Sequence, residues 1–147
     1  DEKRRKHVER DNARRLFREL DQCHGDCLFE QEACRAILRE AMLHFDGERY
    51  EMGDFVIMPN HVHWIIQPLE GCALADIRQS IKRFSSVHLA KQGLHVGGRL
   101  WQNESHDHII RDRAELVRIR EYIRANPKKA GLSADRCSLY SADWLSD

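Results

Sequence analysis

The stretch FVIMPNHVHWIIQ, residues 55–67, decides how the chain folds. Phe55-Val56-Ile57-Met58 is an unbroken apolar run, the pattern of a buried strand. Pro59-Asn60 are turn formers and make a tight connection. His61 to Gln67 then reads as the returning strand of a hairpin. Side chains at i and i+2 of a strand share a face. His61 and His63 therefore project together, while Val62 and Trp64 take the other side. Two imidazoles so placed can ligate one divalent metal, although on position alone surface or hydrogen-bonded histidines are the commoner outcome. Their place directly after a tight turn, among apolar residues, fixes their geometry and favours the metal reading.

Working outward, Glu30 to His44 carries Ala33, Ile37, Ala41 and Phe45 at helical spacing, and Asp46-Gly47 stops the helix. Residues 1–20 lack breakers and hold few apolar residues, so they read as an exposed, charged helix, with a loop over 21–27. Downstream, Leu74, Ile77, Ile81, Phe84 and His88 step by three and four, an amphipathic helix. Gly93 to Gly98 is a loop, and Leu100 to Ile110 is extended with a break near Asn103-Glu104. Leu116, Ile119 and Ile123 mark a last helix, ended at Asn126-Pro127 because the residue before proline is pushed out of the α region. The order helix, hairpin, helix, strand, helix implies an α+β sandwich, with an antiparallel sheet on one side and helices on the other. Two segments follow: a charged N-terminal piece, 1–24, and one domain, 25–147.

Bulk properties narrow the function. At 147 residues, 41% of them apolar and 33% charged, the chain can bury one core and is not of disordered composition. It holds no apolar run long enough for a membrane helix and no export signal, so the expected location is the cytoplasm. The five cysteines are odd in number and irregularly spaced, which favours reduced thiols. Cys23 and Cys27 flank His24 but lack a second ligand pair at zinc-finger spacing. Net charge is zero, so a simple polyanion coat is excluded, yet the cations cluster. One set is Arg78, Lys82, Arg83 and Lys91; another runs from Arg111 through Arg118 and Arg124 to Lys128 and Lys129. Such stripes can follow a phosphate backbone. Arg78, Lys82, Arg83 and Ser85, on the expected solvent side of their helix, and Arg118 are the candidate DNA contacts. Trp101 is a candidate for stacking on an unpaired base, whereas Trp64, opposite the histidines, is expected in the core.

Tyr122 and Asn126 lie four apart on the last helix and so share one side of it. They border the Leu116/Ile119/Ile123 stripe, where a phenol and an amide could approach the histidine pair; on position alone a tyrosine so placed is more often a packing residue with a wet hydroxyl. The motifs go further. Met58-Pro-Asn-His-Val-His63, Trp101-Gln102 and Tyr122-Ile-Arg-Ala-Asn-Pro-Lys-Lys-Ala-Gly-Leu132, in that order and spacing, resemble the REP-associated tyrosine transposases of the single-tyrosine HUH transposase superfamily. The resemblance spans roughly Gly25 to Leu132.

The resemblance implies a ferredoxin-like HUH fold and a metal-dependent transesterase that cleaves and rejoins hairpin-flanked single-stranded DNA through a 5′-phosphotyrosine. It implies Tyr122 as nucleophile, His61 and His63 as ligands of Mg²⁺ or Mn²⁺, and Asn126 as a third ligand or orienting group. REP-like DNA hairpins would be the partner, at the bacterial nucleoid, with the protein a monomer or homodimer. His106, Asp107 and His108 are possible auxiliary residues. Relatives begin with a strand of Thr-Phe-Arg pattern, and nothing before Gly25 matches it. The expectation is a sheet missing its first strand, with the chain shortened at its start. A DNA-hairpin binder without chemistry is the alternative, and a metal hydrolase or structural zinc protein using His61, His63 and Cys23/Cys27 is a third reading.

Overall fold

The computed structural model describes residues 16–23, 27–95 and 99–146. Its strands are β1 (Leu16–Cys23), β2 (Tyr50–Ile57), β3 (His61–Pro68), β4 (Trp101–Ile110) and β5 (Ser138–Tyr140). The helices are α1 (Glu32–Leu43), α2 (Leu74–Lys91) and α3 (Arg113–Lys129). The strands form one antiparallel sheet in the order β4-β1-β3-β2-β5. The β2–β3 hairpin is as read: Ile57 pairs with Val62, and the Met58 N–H donates to the His61 carbonyl at 2.8 Å across the Pro59-Asn60 turn.

Alternation in this hairpin sorts the core into two halves. Phe55, Ile57, Val62, Trp64 and Ile66 pack with Leu38 and Met42 of α1 and Ile77, Ile81 and Leu89 of α2. Val56, Met58 and Ile65 pack with Leu116, Ile119 and Ile123 of α3. Helices thus cover both faces, in place of the two-layer sandwich expected. The cause is that the β2–β3 hairpin also puts Val56, Met58 and Ile65 on the second face, beside the histidines, so that face too has apolar surface to cover.

The first strand is present. Leu16–Cys23 lies between β3 and β4, with Leu20 opposite both His63 and His106. This corrects both the charged helix read through residue 20 and the absent first strand, and it brings the sheet domain back at least to Leu16; residues 1–15 lie outside those described. Leu16, Phe17 and Leu20 are too few for an amphipathic helix. As a strand flanked on both sides, the segment pairs its backbone in two ladders, and Leu16 and Phe17 supply one apolar side chain to each half of the core.

β4 is a single strand, but its register against β1 shifts at Asn103-Glu104, where a break was expected: Asp21 pairs with Ser105 and Cys23 with Trp101, so β4 carries the extra residues. One boundary also moves. α3 continues through Pro127 to Lys129. A proline in the last turn removes one N–H, and the stop lies further on, where Gly131 adopts φ 70°. The Gly131 N–H donates to Lys128 O at 3.0 Å and the Leu132 N–H to Pro127 O at 2.8 Å, a Schellman closure. The start is capped by Asp112, whose carboxylate accepts the Glu115 N–H at 2.8 Å. Among the described residues no helix is long and apolar enough to cross a membrane.

A buried carboxylate ties α3 to the sheet. Asp54, in the β2 irregularity between Met52 and Phe55, is fully buried. It accepts from Arg120 Nε at 2.8 Å, from a second Arg120 nitrogen at 3.2 Å and from the Ala142 N–H at 2.8 Å. Gly53 beside it has no room for a side chain: a Cβ would stand 2.8 Å from the Ile65 carbonyl oxygen. The C-terminal segment closes over this joint, with the Trp144 indole donating to the Met52 carbonyl at 2.7 Å.

Candidate active site

The histidines of β3 lie on the α3 side of the sheet, in the same alternation as Ile65. Their ring centroids are 5.1 Å apart and nearly perpendicular. His61 is half-buried, and its Nδ1 lies 2.8 Å from the Asn60 side-chain oxygen. A carboxamide oxygen can only accept, so the proton sits on Nδ1 and Nε2 keeps a free lone pair. His63 is buried, and its Nδ1 has no hydrogen-bond partner. Burial lowers the pKa of both rings. For His63, repulsion from His61 and Arg18 adds to burial and brings it down to about 4. Both are neutral near pH 7, the form that ligates metal.

Tyr122 meets this pair from α3. Ile119 and Ile123 are buried against the sheet, which turns the intervening helix edge, with Tyr122, toward β3. Its ring stands 5.5 Å from that of His63, edge to face, and 43% of the residue remains exposed. Asn126, one turn further on, is half-buried. Two neutral imidazoles, one with an orphaned buried nitrogen, are donors of the kind a divalent cation takes, and as a pair they would leave coordination positions open. No group of three or more His, Cys, Asp or Glu side chains able to hold a metal occurs among the described residues. Cys27 is an exposed free thiol.

The three auxiliary candidates of β4 separate. Residues directly opposite in an antiparallel pair point to the same side. His106 and His108, opposite Leu20 and Arg18, are therefore on the Tyr122 side, and Asp107 faces away from it. All three are exposed. His108 is hydrogen-bonded to Glu115 and lines a hollow with Arg18, Arg118 and Tyr122.

The DNA candidates divide as well. Arg118 is exposed beside Tyr122. Arg78, Lys82 and Arg83 belong to α2, in the helix layer on the opposite side of the sheet. Ser85 is not on the solvent side: it is fully buried, donates to Lys82 O at 3.0 Å and accepts from the Trp101 indole at 3.2 Å. Ser85 continues the Ile77/Ile81 stripe by one turn, so the small hydroxyl points inward. Trp101 is buried too, stacked on Phe29 at 5.6 Å, and Trp64 is in the core as expected.

Sequence reasoning missed Arg18, Glu115 and the Asp54–Arg120 pair. Arg18 was hidden by the helical reading of its segment. Asp54 did carry a signal, since a carboxylate one residue before a buried apolar run requires a buried partner.

Residues 26–126 match the family described as Transposase IS200 like, which covers more than half of the chain. An uncharacterized protein of Haemophilus influenzae is 32% identical over 95 residues, 50% of this chain and 52% of that one, so the match spans about half of the curated relative. Among solved structures, a REP-associated tyrosine transposase bound to a REP hairpin superposes with a TM-score of 0.67 at 22% identity, covering 81% of this chain and 70% of that one. Its fold is the one described above. With His61, His63 and Tyr122 brought together on that fold, the chain belongs to the IS200-like transposase family.

Proposed function

We propose that this protein is a single-stranded DNA transesterase of the REP-associated type, dependent on Mg²⁺ or Mn²⁺, that cleaves and rejoins hairpin-flanked DNA through Tyr122. The observation that carries the reading is the approach of Tyr122 to His63, 5.5 Å between ring centres, from an element 59 positions further along the chain (122 − 63). The phenolic oxygen attacks phosphorus, the P–O3′ bond breaks, and the phenolic proton is given up as the departing strand gains a 3′-OH. The downstream strand is left as a 5′-phosphotyrosine. Attack by a 3′-OH reverses the step, so rejoining needs no ATP. A divalent cation held by His61, His63 and the Asn126 amide would supply charge neutralisation on the scissile phosphate. Buried and neutral, the imidazoles keep their lone pairs for this task. A tyrosyl hydroxyl is a weak nucleophile and depends on that polarised target.

A hairpin binder without chemistry is the rival reading; a missing first strand would have been one cause of such a loss, and β1 is in place. Incubation with a labelled REP-like hairpin oligonucleotide and Mn²⁺ is expected to yield a denaturation-resistant protein–DNA adduct, lost with EDTA or in Tyr122→Phe. If wild type and Tyr122→Phe form it equally, the assignment fails.

A further inference from the structure

Tyr122 and Arg118 stand between two hollows. One lies toward the sheet, with Arg18, His108 and Glu115. The other, about 560 Å³, runs along the outer side of α3 and is walled by Arg118, Glu121, Tyr122, Ala125, Lys128 and Lys129. Apart from Tyr122 and Arg118, the residues of the second hollow have no task so far assigned. Its lining is mainly apolar, and its residues set three cations against one carboxylate, with Lys128 and Lys129 exposed. Apolar surface beside cations suits an unpaired nucleotide, with base or sugar on the apolar part and phosphate at the cations.

In-line displacement selects which nucleotide. Attacking and leaving oxygens sit at opposite apices of the phosphorus, so the strand with the new 3′-OH departs on the side away from Tyr122. The strand that keeps the phosphate branches from an equatorial oxygen and stays beside the tyrosine. We infer that the hollow of Lys128 and Lys129 seats the first nucleotides of the strand that remains joined to Tyr122. This rests on the transesterase reading. The lysines also complement the negative end of the helix dipole, but that role is indifferent to DNA.

The test uses sequence-neutral probes in EDTA: 5′-phosphorylated dT6, which imitates the retained strand, and 3′-phosphorylated dT6, which imitates the departing one. Binding is followed against salt for wild type, Lys128→Ala/Lys129→Ala and Lys128→Arg/Lys129→Arg. With about 0.7 per single-strand phosphate contact, the alanine pair should flatten the log–log salt slope for the 5′-phosphorylated probe by about 1.4, so that the wild-type advantage shrinks about sevenfold between 50 and 200 mM salt. The arginine pair should keep the wild-type slope, and the 3′-phosphorylated probe should discriminate little. Equal slopes for wild type and the alanine pair, or equal flattening with both probes, would overturn the assignment. Failure of the transesterase reading would show separately, as no Tyr122-dependent adduct with the hairpin oligonucleotide.

Discussion

His63 and Tyr122 demand opposite things of their surroundings. On the proposed reading the imidazole is to be neutral with a lone pair free, and it is buried with its Nδ1 unpartnered. On the same reading the phenol is to reach DNA, and Tyr122 stays nearly half in solvent. Burial of a group that could take a proton has a thermodynamic signature. The folded-state pKa of His63, about 4, lies below the unfolded value of 6.5. Between those values the unfolded chain binds more protons, so stability is complete above pH 6.5 and falls as the pH drops toward 4. Full protonation would cost on the order of 3 kcal/mol. Urea unfolding of the metal-free protein at pH 7 and pH 4.5 should therefore show a steeper loss in wild type than in His63→Gln; parallel losses would mean that His63 is not held neutral by burial. The pairing of the histidines was legible in the sequence because the strand period is two. Arg18, which helps depress His63, was not legible, because nothing local tells a three-apolar strand from a sparse helix.

At the scale of elements, the position of Tyr122 is set by α3, and α3 is set by contacts with both strand and tail. Leu116, Ile119 and Ile123 give it a greasy face, but such a face slides. Arg120, two residues before Tyr122, fixes it through two hydrogen bonds to buried Asp54 and one to the Ala142 carbonyl at 3.3 Å. Arg120→Ala leaves the buried Asp54 charge with only the Ala142 N–H and the Arg124 guanidinium at 3.9 Å, and the expected loss is about 3–5 kcal/mol in denaturant unfolding. Asp54→Asn added to it should recover part of that loss, since the charge is then gone. A cost under about 1 kcal/mol for Arg120→Ala would show that the pair does not anchor the helix. The helix itself was readable from its three-and-four spacing. Its end was misjudged because proline in a last turn is tolerated, and the true stop lies in Ala130-Gly131-Leu132. Ser85 was misplaced on α2 for a related reason: a small hydroxyl at a core position looks like a surface residue until Trp101 donates to it.

Across the whole molecule, the sheet keeps two functions on separate faces. α1 and α2 bury one face in a conventional core, and the other is shared between α3, the C-terminal turn and the histidines. The hairpin of residues 55–67 foretold the antiparallel sheet and the opposite placement of Trp64 and the histidines, because one strand supplies both Trp64 to the core and His63 to the other face. The coverage of both faces and the interior place of β1 depend on long-range pairing, which a local reading does not reach. The three-layer arrangement brings the tyrosine of one layer onto the histidines of the next, and the central claim is that this meeting makes a covalent bond to DNA. Its most direct measurement is peptide mapping of the adduct formed with a hairpin oligonucleotide and Mn²⁺, after digestion with nuclease and trypsin. The account predicts a residual nucleotide 5′-phosphate on Tyr122, in the tryptic peptide Glu121–Arg124. A nucleotide on any other residue, or hairpin cleavage with that peptide unmodified throughout the reaction, would contradict it.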